Sequence, residues 1–254
     1  MLAVKPCNAC SDRSGLPLPF SMAFQPIVDL ASGRIESHEA LVRGVAGESA
    51  RVILAQVTPE MIYSFDQACR VSAIRLAQRL GLTSRLSINF LPNAIYEPAA
   101  CIRLTLAVAA EVGFPLDRIT FEVTENERIN DTAFMRRIFT TYRHHGFKLA
   151  LDDFGTGHAN LAVLLELEPD IIKIDRRLVA GADQNPRATM ILSSLVGLAQ
   201  RLGVATVAEG IETESELRLL QDLGVTYGQG FLLAKPAFER VLTSAELALP
   251  GGFA

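Results

Sequence analysis

Short β-branched runs alternate with longer amphipathic stretches from residue 21 to about residue 247, and this alternation constrains the fold most. The strand candidates are Ala23–Val28, Ile35–Val42, Leu86–Phe90, Ile119–Val123, Lys148–Leu151, Ile171–Ile174, Val204–Val207 and Tyr227–Phe231. Helical patterns fill the intervals. Thr58-Pro59-Glu60 opens one, which runs towards Leu80 and stops at Gly81. Asn130 or Asp131 opens another, ending near Gly146, and Pro186–Leu202 ends at Gly203. Thr213-Glu214-Ser215-Glu216 has the form of a capping box, its helix ending near Gly224. Such alternation predicts a mostly parallel α/β sheet. Eight units in about 250 residues fit a (β/α)8 barrel. A doubly wound open sheet comes second, because no glycine-rich phosphate fingerprint opens the first unit.

No Pro/Ser-rich linker or charge block divides the chain, so residues 21–247 are expected to form one domain. Residues 1–20 read as an N-terminal tail and 248–254 as a C-terminal one. With 49% hydrophobic and 20% charged residues the chain can bury a sizeable core. Lysines and arginines number 24 against 28 carboxylates, a net charge of −4, which argues against polymeric nucleic acid or anionic membrane held by bulk charge. There is no Trp, and aromatics make up only 7%, so a stacking platform for single strands is not expected. No apolar run reaches the ~18–20 residues of a membrane helix. No secretory signal precedes the first strand, and a cytoplasmic location is expected. Cys7 and Cys10 form a C-x-x-C pair that supplies only two ligands to a zinc ion. A reduced, unstructured tail is the simpler reading.

The polar residues carry the functional signal. Nearly every strand candidate has one towards or just after its C-terminal end: Gln25 in the first, Glu39 and Arg43 in the second, Asn89 in the third. Glu122 and Glu125 follow in the fourth, Asp152-Asp153 after the fifth, Lys173 and Asp175 in the sixth. Glu209 and Glu212 come after the seventh, and Gln229 lies in the last. A strand buried on both faces should be apolar, since an unpaired buried charge is expensive. One exception would be a local salt bridge, and Lys173 with Asp175, on one strand face, is such a pair. Asp152-Asp153 also reads as a turn before Gly155. A series of exceptions points instead to the C-terminal mouth of a barrel, where active sites sit. Crowded carboxylates repel unless cations lie among them. Hard oxygen ligands suit Mg2+ or Mn2+. Adjacent carboxylates can serve two ions ~3.5–4 Å apart, an arrangement used on phosphate esters. No His belongs to the series, which argues against a histidine-bound zinc centre.

In order, the chain reads Phe24-Gln25-Pro26, Glu39-Ala40-Leu41-Val42-Arg43, Ser87-Ile88-Asn89, Glu122-Val123-Thr124-Glu125 and Asp152-Asp153-Phe154-Gly155. It continues with Ile172-Lys173-Ile174-Asp175, Ala208-Glu209-Gly210-Ile211-Glu212 and Gly228-Gln229-Gly230-Phe231. This series, from about residue 22 to residue 238, resembles the EAL-domain phosphodiesterases, which hydrolyse cyclic di-GMP. Glu-Ala-Leu alone occurs by chance in many proteins; the ordered series is specific. The resemblance implies a TIM-like (β/α)8 barrel with its first strand antiparallel, and a cation-dependent cut giving linear 5′-pGpG. It implies Glu39, Asn89, Glu122 and Asp152 as ligands of one Mg2+ or Mn2+, with Asp153 serving a second. Lys173 would orient the attacking water or offset phosphate charge, and Glu209 would be the general base or a partner of that water. Gln25, Arg43 and Gln229 would hold the substrate, with Glu125, Glu212 and Asp175 as loop anchors and supports.

Two departures stand out: His158-Ala159-Asn160 where the family usually has Tyr-Ser-Ser, and Gly44 where a bulky aromatic is common. The first removes two hydroxyls from a loop that couples the metal site to the family's dimer contact; the second loosens the wall around a guanine base. A receptor or partner-binding module on the same fold is the alternative reading, and an unrelated metal-dependent barrel enzyme is a third. A homodimer is implied by the resemblance. No sensory domain fits in the chain, so input is expected through a regulatory protein partner, the dimer contact, protein abundance or the short N-terminal tail.

Overall fold

The computed structural model describes residues 18–95, 97–123, 132–155 and 161–249. Its strands are β1 (Phe20–Asp29), β2 (Ile35–Gly44), β3 (Arg85–Phe90), β4 (Ile119–Val123) and β5 (Lys148–Phe154). They continue as β6 (Ile171–Ile174), β7 (Ala205–Ala208), β8 (Tyr227–Gly228) and β9 (Ala237–Phe238). β2 to β8 pair in sequence order and in parallel, and β1 closes the ring by pairing antiparallel with both β2 and β8. The result is the closed eight-stranded barrel expected from the alternation, with the reversed first strand that the family resemblance implies. β9 was not anticipated. It lies along β1 beyond β8, pairing with Ala23 and Phe24.

Helices cover the barrel's outside: α1 (Ala50–Leu54) and α2 (Ile62–Arg79) after β2, α3 (Pro98–Cys101) and α4 (Arg103–Val112) after β3, and α5 (Thr132–His144) after β4. α6 (Leu161–Leu167) follows β5, α7 (Arg176–Val179) and α8 (Pro186–Leu202) follow β6, and α9 (Glu214–Asp222) follows β7. Among the described residues no helix is long and apolar enough to cross a membrane. The caps bear out two starts: Asn185 accepts from the backbone of Arg187 and Ala188, and Thr213 and Glu216 exchange both bonds of a capping box. One start moves. Thr58-Pro59-Glu60 closes a separate turn, with Met61 N donating to Thr58 O at 3.0 Å, and α2 begins only at Ile62. Asn130 and Asp131, Cys7 and Cys10 lie outside the described residues.

Period-two alternation sorts the side chains into two compartments. Outward residues such as Phe24, Ile88, Phe90 and Phe121 pack under the helices in one large core. That layer contains Arg70, fully buried between the rings of Phe90 and Phe121 and paired with Asp66 at 2.6 Å and the Tyr142 hydroxyl at 2.9 Å. Inward residues near the N-terminal end include Ile27, Ser37, Ser87, Thr120 and Val207. At the C-terminal end they are polar, and there the barrel mouth becomes a site.

Candidate active site

Gln25 and Glu39 oppose each other in the register of β1 and β2, and Asn89 opposes Glu122 across β3 and β4. Two residues that share a face across neighbouring strands meet directly. The barrel then brings the far wall across: Lys173 on β6 reaches Glu39, 134 residues away in sequence. Its Nζ lies 2.7 Å from Glu209, 2.8 Å from Glu122, 3.2 Å from Asp152 and 3.4 Å from Glu39. Lys173 is only 1% exposed, so these contacts rather than water satisfy its charge.

Glu39 is the best-held carboxylate. It accepts from Asn89 Nδ2 at 2.7 Å and from Gln229 Nε2 at 2.9 Å. Gln229 Nε2 is also 3.2 Å from Gln25 Oε1, and Gln25 Nε2 donates to Ala234 O at 3.1 Å. Burial opposes the ionised form of Glu39, but Lys173 and the two amides outweigh it and hold its pKa below the ordinary 4.5. Gln229 sits in a different place from that expected. β8 ends at Gly228, so Gln229 belongs to the turn after the strand, not to a strand reaching Phe231. The cause is close backbone approach: a Cβ on Gly230 would lie 2.1–2.7 Å from Ile211 backbone atoms. Only glycine permits this contact, which bends the chain and aims Gln229 into the barrel.

Asp152 and Asp153 show how two neighbouring residues can serve one site. Along a regular strand they would point to opposite faces. Here the pairing of β5 with β6 is irregular between Leu151 and Phe154, and Asp153 takes a left-handed backbone with φ of 54°. A bulge re-aims side chains in this way, and Asp tolerates that backbone region better than most residues. Asp153 N also donates to Asp152 Oδ1 at 2.9 Å.

Two carboxylate groupings follow, each with ligand atoms within 4.8 Å of one another: Glu39, Glu122 and Asp152, and Asp152, Asp153 and Glu209. Asp152 is common to both. Lys173 alone does not neutralise them. Glu122 and Glu209 are each pushed up to about 8, first by burial and then by the neighbouring carboxylates, against the pull of Lys173. Asp153 rises to about 6 through burial, then Asp152 and Asp175. A set of oxygen donors this short of positive charge fits hard divalent cations.

The other expected residues are more peripheral. Arg43 lies on the same face of β2 as Glu39, and its guanidinium donates to Val42 O at 2.7 Å. Glu212 pairs with Arg176 at 2.8 Å on the rim. Asp175 does not pair with Lys173, as one reading of the strand had it. β6 ends at Ile174, and Asp175 turns out to cap α7, accepting from Arg177 N at 2.7 Å. Glu125 and His158-Ala159-Asn160 lie outside the described residues. The wall at Gly44 is filled, not open, because the Glu48 side chain folds over it.

A cleft of about 330 Å3 opens above this cluster, bounded by Gln25, Glu39, Glu209 and Gln229. Its rim includes Arg176 and Phe231, neither of which the sequence reading singled out. The signal was available: each lies within two residues of a recognised site position. Phe231 is 56% exposed, unusual for a large apolar ring beside carboxylates, with Lys235 Nζ 5.6 Å from its centroid.

The EAL domain family matches residues 19–236. Cyclic di-GMP phosphodiesterase PA2567 of Pseudomonas aeruginosa is 32% identical over 237 residues, covering 90% of this chain and 40% of that protein. The chain thus spans less than half of that relative. A standalone versatile EAL protein from Vibrio cholerae O395, solved with c-di-GMP bound, superposes with a TM-score of 0.87 at 43% identity, over 90% of this chain and 97% of the other. Klebsiella pneumoniae BlrP1, solved as a manganese/cy-diGMP complex, superposes with a TM-score of 0.83 at 34% identity, over 90% and 58%. With the match running through nearly the whole barrel, the chain belongs to the EAL domain family.

Proposed function

We propose that this chain is a divalent-cation-dependent phosphodiesterase that opens cyclic di-GMP to linear 5′-pGpG. The observation that carries the reading is the convergence of Glu39, Glu122, Asp152 and Glu209 on one buried lysine at the barrel mouth. The relatives named for cyclic di-GMP supply the substrate.

In this reading Glu39, Asn89, Glu122, Asp152 and Asp153 hold two ions, Mg2+ or Mn2+. When bound, such ions acidify water and offset charge on the phosphate. The chain's own groups do the rest. Glu209 has the most exposed carboxylate of the four around Lys173, with 20% of its side chain accessible, and faces the cleft where a water would approach phosphorus. It takes the proton of that water as the P–O3′ bond breaks. Lys173 is fixed by four carboxylates, so its charge is already oriented when negative charge grows on the phosphoryl oxygens. Gln25, Arg43 and Gln229 hold the substrate, and the exposed Phe231 ring offers a face for a guanine base. Glu212 steadies Arg176 on the rim.

Homodimeric assembly, input through a regulatory protein partner and a cytoplasmic site of action complete the proposal. Leu161 and Leu165 on α6 are 62% and 77% exposed, an apolar pair of the kind a second copy would cover. The test of function is chromatography of cyclic di-GMP incubated with purified protein and Mg2+ or Mn2+, and again with EDTA. Linear pGpG only with the cation is the expected result. Binding without product would make the chain a receptor.

A further inference from the structure

Beside the site lies a second, partly open space, of about 290 Å3, between the outer face of β1–β3 and the helices α1 and α2. Val42 and Ile88 wall it from the sheet, Phe65, Cys69 and Ala73 from α2, and Leu54 from α1. Protein interiors rarely leave gaps larger than a water molecule. This one exists because small side chains, Ala40, Cys69 and Ala73, face each other where two packed layers meet. It adjoins the substrate cleft and shares Leu41 with it, but its Ala40 and Val42 wall points away from the barrel interior, while Glu39 points into it.

The wall's two strongly polar side chains are already engaged. Asp66 pairs with Arg70 at 2.6 Å and accepts from Leu91 N at 3.0 Å, and Asn89 donates to Glu39 at 2.7 Å. A space lined so largely by apolar side chains favours apolar molecules. It is too small for a partner's helix, ~10–12 Å across with side chains. Half-exposed Leu54 leaves a route from solvent. Two contacts join it to the chemistry. Asn89 is at once a wall residue and a partner of Glu39, and Asp66 tethers the backbone two residues after Asn89.

We propose that this space binds a small neutral apolar molecule, of single- or fused-ring size, and that its occupancy changes turnover by repositioning Asn89. The effect on turnover rests on the function proposed above; the binding does not.

Indole is the probe. Titrated into metal-free full-length protein with labelled methyl groups, it should shift the Ile88, Val42 and Leu54 signals saturably and raise the melting temperature. Cys69→Leu, which fills the space, should abolish both responses and make turnover insensitive to indole. Ala50→Leu fills it from the opposite wall and serves if the first variant does not fold. Saturating indole should change wild-type turnover by about fivefold or more. Absence of saturable shifts, or shifts that survive filling, would overturn the site. Displacement of indole by cyclic di-GMP would make the space part of the substrate cleft and overturn it equally. Unchanged turnover at saturation would overturn the coupling. A protein that binds indole yet cuts no cyclic di-GMP would refute the proposed function and leave the site standing.

Discussion

Replacing Lys173 by Met removes the one ammonium around which four carboxylates are arranged, all within 3.4 Å. Met keeps the unbranched shape and all but the last atom of the side chain, so the main change is charge. Glu39 is ionised in the parent because Lys173 and two amides hold its pKa below the ordinary 4.5. Without the ammonium it must stay charged and unpaired or take up a proton. Protonating it at pH 7, about 2.5 pH units above that value, costs about 3.5 kcal/mol at ~1.4 kcal/mol per unit. Loss of one partner from a buried ion pair costs a similar ~3–5 kcal/mol. For a chain of this size the deficit corresponds to a fall in Tm of roughly 7–14 °C. Its pH dependence has a definite sign. In the variant the folded state holds a proton that the unfolded Glu39 releases above 4.5, so the deficit grows as pH rises and shrinks to under about 1 kcal/mol near pH 5. Calorimetry of both proteins in EDTA, at pH 7 and pH 5, reads this directly. A divalent cation should narrow the gap at pH 7, and turnover should fall by about 10²–10³. Equal melting temperatures at pH 7, or a deficit identical at both pH values, would refute the claim that Lys173 keeps Glu39 ionised.

Phe231→Ala should raise KM for cyclic di-GMP by roughly tenfold with kcat little changed, the loss of one base-stacking face; steady-state kinetics separates the two constants. Gly230→Ala forces a Cβ against the Ile211 backbone, so it should destabilise by about 1–3 kcal/mol and lower turnover by displacing Gln229. Paired calorimetry and product chromatography check both effects. His38 is buried beside Ser84 Oγ and Leu242 O, and burial holds it neutral, its pKa lowered from 6.5 to about 4. Below pH 6.5 the unfolded state binds the proton first, so the stability from His38, fully present above that pH, is lost as pH falls towards 4, by up to about 3 kcal/mol. His38→Gln should flatten that slope in urea titrations.

The barrel was legible because each strand and each cap is a local pattern. Glu39, Asn89 and Glu122 stood out because a carboxylate or amide in an otherwise apolar strand violates the rule for buried strands, and Glu209 because it directly follows such a strand. What local pattern cannot carry is geometry created by contacts from elsewhere. Asp175 looked like a partner for Lys173 because strand alternation was extended one residue too far; the strand stops, and its carboxylate caps α7 instead. Gln229 looked like a strand residue because nothing near it announces that Gly230 will press against Ile211. β9 has only two residues and pairs with a strand more than 200 positions earlier, so no periodicity could reveal it.

The same distinction explains how the site is built. The fold supplies one lysine for four surrounding carboxylates, with Asp153 beside them, and leaves Glu122 and Glu209 near 8, so by itself it does not neutralise the mouth. In the helix–sheet layer the count is one to one: Arg70 faces the single carboxylate of Asp66, with Tyr142 and two aromatic faces around it, although burial pushes the Asp66 pKa up there too. Both arrangements bury a cation at the end of a long side chain. Only the one at the C-terminal strand ends is short of positive charge, and that shortage is what a divalent cation can relieve. Imbalance at the mouth against balance in the core therefore separates a functional cluster from a structural one more sharply than burial does, since Lys173 and Arg70 are equally hidden from water.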